Sequence, residues 1–261
     1  MLELITLCSI AEKRNQFESD LYPLWDTVWN NFASLLNNPD SETIISVAAQ
    51  YTLDHKFLNA RGSMSHHVKI PDDMILKLDD TPQRKFIFWA ELKRLRVDLD
   101  DWFTIDGKIA ANNVIANTVK QTNTQAQYAL AHFNLQGNAS MHVFIISGPY
   151  FVLAEYRVKS MSPGFFTREH ARRGAAVTRS QSQNDEFEED PLEDDHTTPF
   201  YPYGTDPYCL FDVTDAELET GNYRLTQGVK LNPMLLQALR MVLRNHEDIR
   251  SGMQRVDWFD V

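Results

Sequence analysis

Asp72, Glu91 and Lys93 are the residues whose types and spacing could do chemistry. They lie in the stretch 66–96, HHVKIPDDMILKLDDTPQRKFIFWAELKRLR. It reads as two strands joined by Thr81-Pro82-Gln83-Arg84, a turn signal because proline presets φ. At period two, Val68, Ile70, Asp72, Met74, Leu76 and Leu78 share one face of the first strand, and Lys69, Asp73 and Lys77 the other. The alternation predicts Asp72 inside and Asp73 outside between lysines. A carboxylate in an apolar row is costly to desolvate unless a cation or hydrogen bonds compensate it. The second strand, residues 85–95, is nearly all apolar until Glu91 and Lys93, which are two apart and share a face. A buried acid on one strand, with an acid and a lysine on its neighbour, outlines a small metal site. Oxygen ligands of this kind suit Mg²⁺ or Mn²⁺. Such a cation would neutralise a phosphodiester, stabilise the developing charge and acidify a bound water. Lys93 would orient or deprotonate that water, its pKa lowered by the cation and raised by the two acids. The alternative is a buried salt bridge of Lys93 with Glu91 or Asp72 inside an ordinary α/β domain.

Pro71-Asp72 and Glu91-Leu92-Lys93, separated by a hairpin turn, resemble the signature of the PD-(D/E)XK nuclease superfamily. The following Gln-rich helix and the Gly-Pro-Tyr-Phe strand pair make the chain similar to uncharacterised fungal members of that superfamily. The resemblance covers residues 40–160. It implies that Asp72 and Glu91 hold a divalent metal, with the backbone carbonyl of Leu92 as a further ligand, and that Lys93 positions or activates the attacking water. Many members add an acid from the helix before the sheet, where this chain has Glu42; the alternative for Glu42 is an acid complementing a helix dipole. Some relatives use a histidine, which makes His67 a possible extra ligand. In one branch a glutamine followed a turn later by tyrosine approaches the active site. Gln125 with Tyr128 is similar, one residue short of the usual spacing, and Gln121 is the alternative. Arg96 and Lys120 are the candidates for phosphate contact beside the site.

The elements that must position these residues follow from periodicity. Residues 9–36 read as helical, with Phe17, Leu21, Leu24, Val28, Phe32 and Leu35 at helical spacing and a kink at Pro23. A second helix is expected from Asp40 or Ser41, carrying Ile44, Val47, Ala48, Tyr51 and Leu53. Residues 55–65 read as a loop or short strand. After the hairpin and a polar turn at 97–102, a long helix is expected over 108–133. Two strands follow, 141–147 and 150–159, joined by Gly148-Pro149. The order αβββαββ predicts a three-layer α/β sandwich around a mixed central sheet flanked by helices; the resemblance implies its restriction-endonuclease-like form. Residues 200–213 look strand-like, and Asn232-Pro233 opens a last helix running to Arg250, whose apolar stripe includes His246.

These readings divide the chain into an N-terminal helical region (1–40), a nuclease-like core (41–160), a basic then acidic insertion (161–199), and a C-terminal strand and helix returning to the core (200–261). The insertion contains Arg168 and Arg172, further candidates for nucleic-acid contact, and residues 175–198 read as disordered. The net charge of −11 argues against a polyanionic partner at first sight. However, eight acids fall between Asp185 and Asp195 with no base among them, and setting them aside leaves −3. Near-neutral with local basic clusters is compatible with phosphate binding. Two cysteines, Cys8 and Cys209, form no framework, which suits a reducing, intracellular compartment. Neither a signal peptide nor a membrane span is expected. The function these residues predict is metal-dependent hydrolysis of nucleic acid, DNA before RNA. The alternatives are a catalytically silent nuclease-fold module that binds nucleic acid or protein, and a toxin-like effector nuclease. No P-loop, GxSxG, zinc-type Cys/His spacing or kinase signature occurs.

Overall fold

The computed structural model describes residues 1–14, 17–37, 43–58, 64–79, 85–95, 102–158, 198–221, 223–225, 229–246 and 249, with the side chains of 55–58 and 64–67 left out. Two helices open the chain, α1 (Leu2–Arg14) and α2 (Tyr22–Leu36), separated by a 3₁₀ turn at Glu18–Asp20. The strands β1 (Ile44–Ala49), β2 (Leu53–Leu58), β3 (Met64–Lys69), β4 (Asp73–Leu78) and β5 (Lys85–Lys93) follow. Helix α3 (Ile105–His132) leads to β6 (Ser140–Ser147) and β7 (Tyr150–Arg157), and the C-terminal part adds β8 (Tyr208–Cys209), α4 (Asp215–Thr220) and α5 (Pro233–Val242).

The main sheet has six strands in the order β1-β4-β5-β6-β7-β8. It is mixed: β5 and β6 run parallel and every other pair is antiparallel. The long apolar runs of β5, β6 and β7 are buried on both faces, as expected where helices cover both sides. On one face Phe88, Ala90, Leu92, Phe144 and Phe151 pack with Trp25, Trp29 and Phe32 of α2. On the other Met74, Trp89, Val143, Ile145 and Tyr156 pack with Ile115, Ala126 and Ala129 of α3. Residues from α5 join the first cluster, with Leu235, Ala238 and Leu239 all buried. No described helix is long and apolar enough to cross a membrane.

Several expectations are corrected. The helix expected from Asp40 or Ser41 is absent: Ile44–Ala49 is strand β1, paired with β4. The β-branched Ile44, Ile45 and Val47 favour that state, and Asn37 holds the strand's start, accepting from Ile45 N–H at 2.6 Å and donating to its carbonyl at 3.1 Å. Of the loop or short strand expected over 55–65, the strand is what forms: Leu53–Leu58 pairs with Met64–Lys69, and the correction is that these make a two-stranded ribbon apart from the main sheet. The N-terminal helical stretch breaks before Tyr22, and Pro23 takes the first turn of α2, where its missing N–H costs nothing. The last helix ends at Val242 with a 3₁₀ turn to Asn245, short of Arg250.

The alternation expected over 68–78 does not survive either. Ile70-Pro71-Asp72 separates β3 from β4, and the phase resets there because proline cannot donate to a ladder. Asp73, expected outside, is 1% exposed, and Lys77 is 7% exposed; Asp72, expected inside, is half-buried. Asp73 shares the α2-side face with Ile75, close to the Asp26 carboxyl. Burial, then the charges of Asp26 and Asp72, push the Asp73 carboxyl up to about 8. An acid raised in the folded state stabilises the fold below its unfolded pKa of about 3.9 and loses that contribution as pH climbs through the folded value. Asp73→Asn is expected to flatten the decline in stability between about pH 4 and pH 8, gaining on the order of 2 kcal/mol over wild type at the alkaline end. Denaturant midpoints in EDTA across that range check this, and parallel curves for the two chains would contradict it.

Candidate active site

β4 and β5 are antiparallel with Asp73 opposite Ala90. Asp72, one residue before β4, therefore comes level with the Glu91-Leu92-Lys93 end of β5. Each of its carboxylate oxygens is held: Oδ2 accepts from the Leu92 N–H at 2.7 Å and Oδ1 from the Tyr22 hydroxyl at 2.8 Å. Its carbonyl accepts from Gln50 N–H at 2.6 Å.

Glu91 points to the α3 side and is 1% exposed. Its Oε1 accepts from Lys93 Nζ at 2.7 Å and from Gln121 Nε2; its Oε2 accepts from Gln125 Nε2 at 2.6 Å. Gln125 is buried too, and its Oε1 accepts from the Trp89 indole at 3.1 Å. Gln121 and Gln125 reach one carboxylate because four residues on a helix return to the same face. Lys93 Nζ also lies 3.5 Å from Glu18 in the 3₁₀ turn ahead of α2. Glu91 and Glu18 thus flank one ammonium.

The electrostatics follow. Burial, then repulsion from Asp72, raises the Glu91 carboxyl to about 7, against the pull of Lys93 and Gln125. Burial pulls the Lys93 ammonium down, but Glu91, Glu18 and Asp72 outweigh it and the net shift is upward. The two shifts share a direction and differ in cause: Glu91 is almost wholly desolvated, whereas Lys93 keeps a fifth of its side chain exposed and sits among acids. Burial and the Asp72 charge likewise raise the Tyr22 phenol, so it donates to Asp72 rather than ionising.

Of the residues singled out in sequence, Asp72, Glu91, Lys93 and Gln125 come together, with Gln121 beside them. The Leu92 backbone lies within the site while its side chain is buried on the α2 face. Lys120 is exposed on α3, next to Gln121. His67 belongs to β3 opposite His55, its side chain outside the described atoms. Glu42, Arg96, Arg168 and Arg172 lie outside the described residues, and the helix whose first turn Glu42 was to occupy does not form. From the N-terminal layer Glu18 reaches Lys93 and Tyr22 reaches Asp72. Sequence reasoning missed both; Tyr22-Pro23, marking a helix start, was the available signal.

No protein-family model, curated protein or solved structure matches the chain.

Gln125→Ala would leave a buried carboxylate and a buried indole each one partner short, at an expected cost of roughly 2–3 kcal/mol. Gln121 is exposed, and its truncation should cost under about 1 kcal/mol. Chemical denaturation of the two variants side by side checks the contrast; equal losses would contradict it.

Proposed function

We propose that this chain is a metal-dependent nuclease that hydrolyses phosphodiester bonds of nucleic acid, DNA before RNA, on a restriction-endonuclease-like sandwich of the PD-(D/E)XK kind. The observation that carries this is the meeting of Asp72, Glu91 and Lys93 at one end of β4 and β5, with Glu18 as a third acid on the same lysine.

The donor set fits a hard divalent cation. Burial, then repulsion from Asp72, raises the Glu91 carboxyl, and a cation shared between the two acids would relieve that repulsion. Among the described residues no three His, Cys, Asp or Glu side chains converge on a single point. Beyond Asp72 and Glu91, ligands would come from the Leu92 carbonyl, water and the phosphate, in keeping with the few protein ligands Mg²⁺ takes. Mg²⁺ or Mn²⁺ held there would supply charge neutralisation at the phosphate and a more acidic water. Lys93, kept protonated by its three acids, donates from Nζ to fix the attacking water or a phosphate oxygen. Gln125 holds Glu91 against Trp89 so that its carboxylate cannot swing away. Tyr22 and the Leu92 N–H fix the rotamer of Asp72. Arg96, Lys120, Arg168 and Arg172 are the cations we assign to the phosphate backbone.

One feature of the site favours a second reading, a catalytically silent module that binds nucleic acid or protein. Both Glu91 oxygens are already engaged by three donors, which a cation must displace in part.

The test is cleavage of single- and double-stranded DNA and RNA with Mg²⁺ or Mn²⁺, comparing wild type with Asp72→Ala, Glu91→Ala and Lys93→Ala. A loss of about 10³-fold or more in each folded variant is expected. Inert wild type, or variants that cut equally well, would overturn the nuclease reading and leave the silent module. The pH dependence gives a second check. The ionised carboxylate is the form that holds a cation, so cleavage should rise with pH through about 7 as Glu91 loses its proton. Added Mg²⁺ competes with that proton and should move the rising limb to lower pH; a limb that stays put would separate Glu91 from cation binding.

A further inference from the structure

Away from the acids at the end of β4 and β5, a hydroxyl, an imidazole and a carboxylate stand in line. Tyr51 follows β1, His132 ends α3, and Asp54 is the second residue of β2. The Tyr51 hydroxyl is 3.2 Å from His132 Nε2, and His132 Nδ1 is 2.8 Å from Asp54 Oδ1. The neighbours of Nδ1 place the ring proton. Carboxylate and carbonyl oxygens only accept, and Nδ1 faces one of each, the Asp54 carbonyl at 3.3 Å. The Asp54 N–H also approaches Nδ1 at 3.3 Å, but the closer carboxylate outweighs it. Nδ1 therefore carries the proton of the neutral ring, and Nε2 turns a lone pair to the phenol. A base within hydrogen-bond reach of a hydroxyl, itself oriented by a third group, is the arrangement that activates a nucleophile.

The surroundings fix the trio and leave it open to a reagent. Leu53, beside Asp54, is fully buried, and Gln50, beside Tyr51, is tied to the Asp72 carbonyl. Tyr51 is partly buried, and His132 keeps 21% of its side chain exposed. His132 lies about two turns beyond Gln125, roughly 10 Å along α3, so the trio stands apart from Glu91. Its walls select an uncharged group. Phe133 stacks on Tyr51 at 6.2 Å and is backed by Phe86 at 5.4 Å. The Asp54 carboxylate repels anions, and Lys69, opposite Leu53 in register, lies over the Tyr128 ring.

We propose that Tyr51, His132 and Asp54 form a second nucleophilic centre, independent of any metal, that is acylated by uncharged activated esters. Tyr51 Oη attacks the ester carbonyl carbon, and its proton passes to His132 Nε2. The bond from that carbon to the leaving oxygen breaks, and the leaving group departs with the electron pair. The product is an acyl-tyrosine, which water hydrolyses with His132 again as the base. Asp54 is a positioning residue: it holds the tautomer that leaves Nε2 free of a proton. The centre stands whether or not the chain cuts nucleic acid.

The test mixes p-nitrophenyl acetate with the full chain in EDTA, follows release of p-nitrophenolate, and maps the acetyl group by tandem mass spectrometry. Wild type is expected to release about one equivalent per chain in a rapid phase and to carry the acetyl group on Tyr51. The comparison within the chain is Tyr203, another partly buried phenol, whose hydroxyl donates to the Gln237 carbonyl and so faces no base. Acetyl on Tyr51 should exceed that on Tyr203 by about ten-fold or more. Tyr51→Phe should abolish the rapid phase, and His132→Gln should slow it about 10²-fold or more. Asp54→Asn should slow it at least about ten-fold, and Asp54→Glu, which keeps the carboxylate, should recover much of that loss. Thermal unfolding confirms that the variants fold; should they not, the ratio of Tyr51 to Tyr203 labelling in wild type decides alone. Acetyl shared evenly between Tyr51 and Tyr203, or Tyr51 acetylated as fast in folded His132→Gln as in wild type, would overturn the proposal.

Discussion

A carboxylate with 1% of its surface exposed cannot stay ionised unless its surroundings replace the water it has lost. Glu91 is that carboxylate, and much of the local architecture answers to it. Lys93 on the same strand supplies the charge; Gln121 and Gln125, one helical turn apart, supply amide donors. α3 must therefore lie across β5 in one rotation, with its glutamine face down. Trp89, two residues before Glu91 and on the same face, locks Gln125 from below. Even so the compensation is incomplete, since burial and Asp72 still hold the Glu91 carboxyl well above its ordinary value. A site left short of positive charge in this way is where a cation gains most by binding.

The same end of the sheet is where the two helical layers meet. Asp72 takes its hydrogen bonds from the α2 layer through Tyr22 and from β5 through the Leu92 N–H. Lys93 is shared between Glu91 on the sheet and Glu18 ahead of α2. Gln50 adds a backbone tie from the end of β1, at φ 49°, a conformation that costs a non-glycine residue roughly 1–2 kcal/mol. Such strain persists where the surroundings over-determine the backbone, and here it fixes the carbonyl of Asp72. Gly148 is a second constraint: with φ 58°, an added Cβ would meet Leu95 at 2.9 Å, while its carbonyl accepts from the Trp25 indole.

What was legible in the sequence was set by pattern strength. The continuous apolar runs of β6 and β7, the long helix α3 and the pairing of Glu91 with Lys93 on one strand face were all readable, because nothing interrupts their periods. β1 was misread because Ile44, Val47, Ala48 and Tyr51 fit a helical stripe as well as a strand, and over six residues the two periods cannot be told apart. Pairing with β4 decides it. Asp72 and Asp73 exchanged places because the alternation was carried through Pro71, where the strand in fact breaks. Asp72 still reached the site, but from half-burial at the head of β4 and not from an apolar row. Glu18 and Tyr22 escape sequence reading because they join Lys93 and Asp72 across a long separation in sequence; Tyr22-Pro23 marks a helix start, but only the docking of α2 on the sheet creates the contact.

The most direct test of the central claim is Mn²⁺ titration of the full chain at pH 8, followed by electron paramagnetic resonance of the free ion. Wild type, Asp72→Asn, Glu91→Gln and Lys93→Met are compared. One bound ion per chain is expected in wild type, lost or weakened at least ten-fold in both acid variants, and retained in Lys93→Met, where a competing cation has been removed. Wild type that binds no Mn²⁺, or acid variants that bind it as wild type does, would mean that Asp72 and Glu91 are held by their hydrogen bonds alone and form no metal centre.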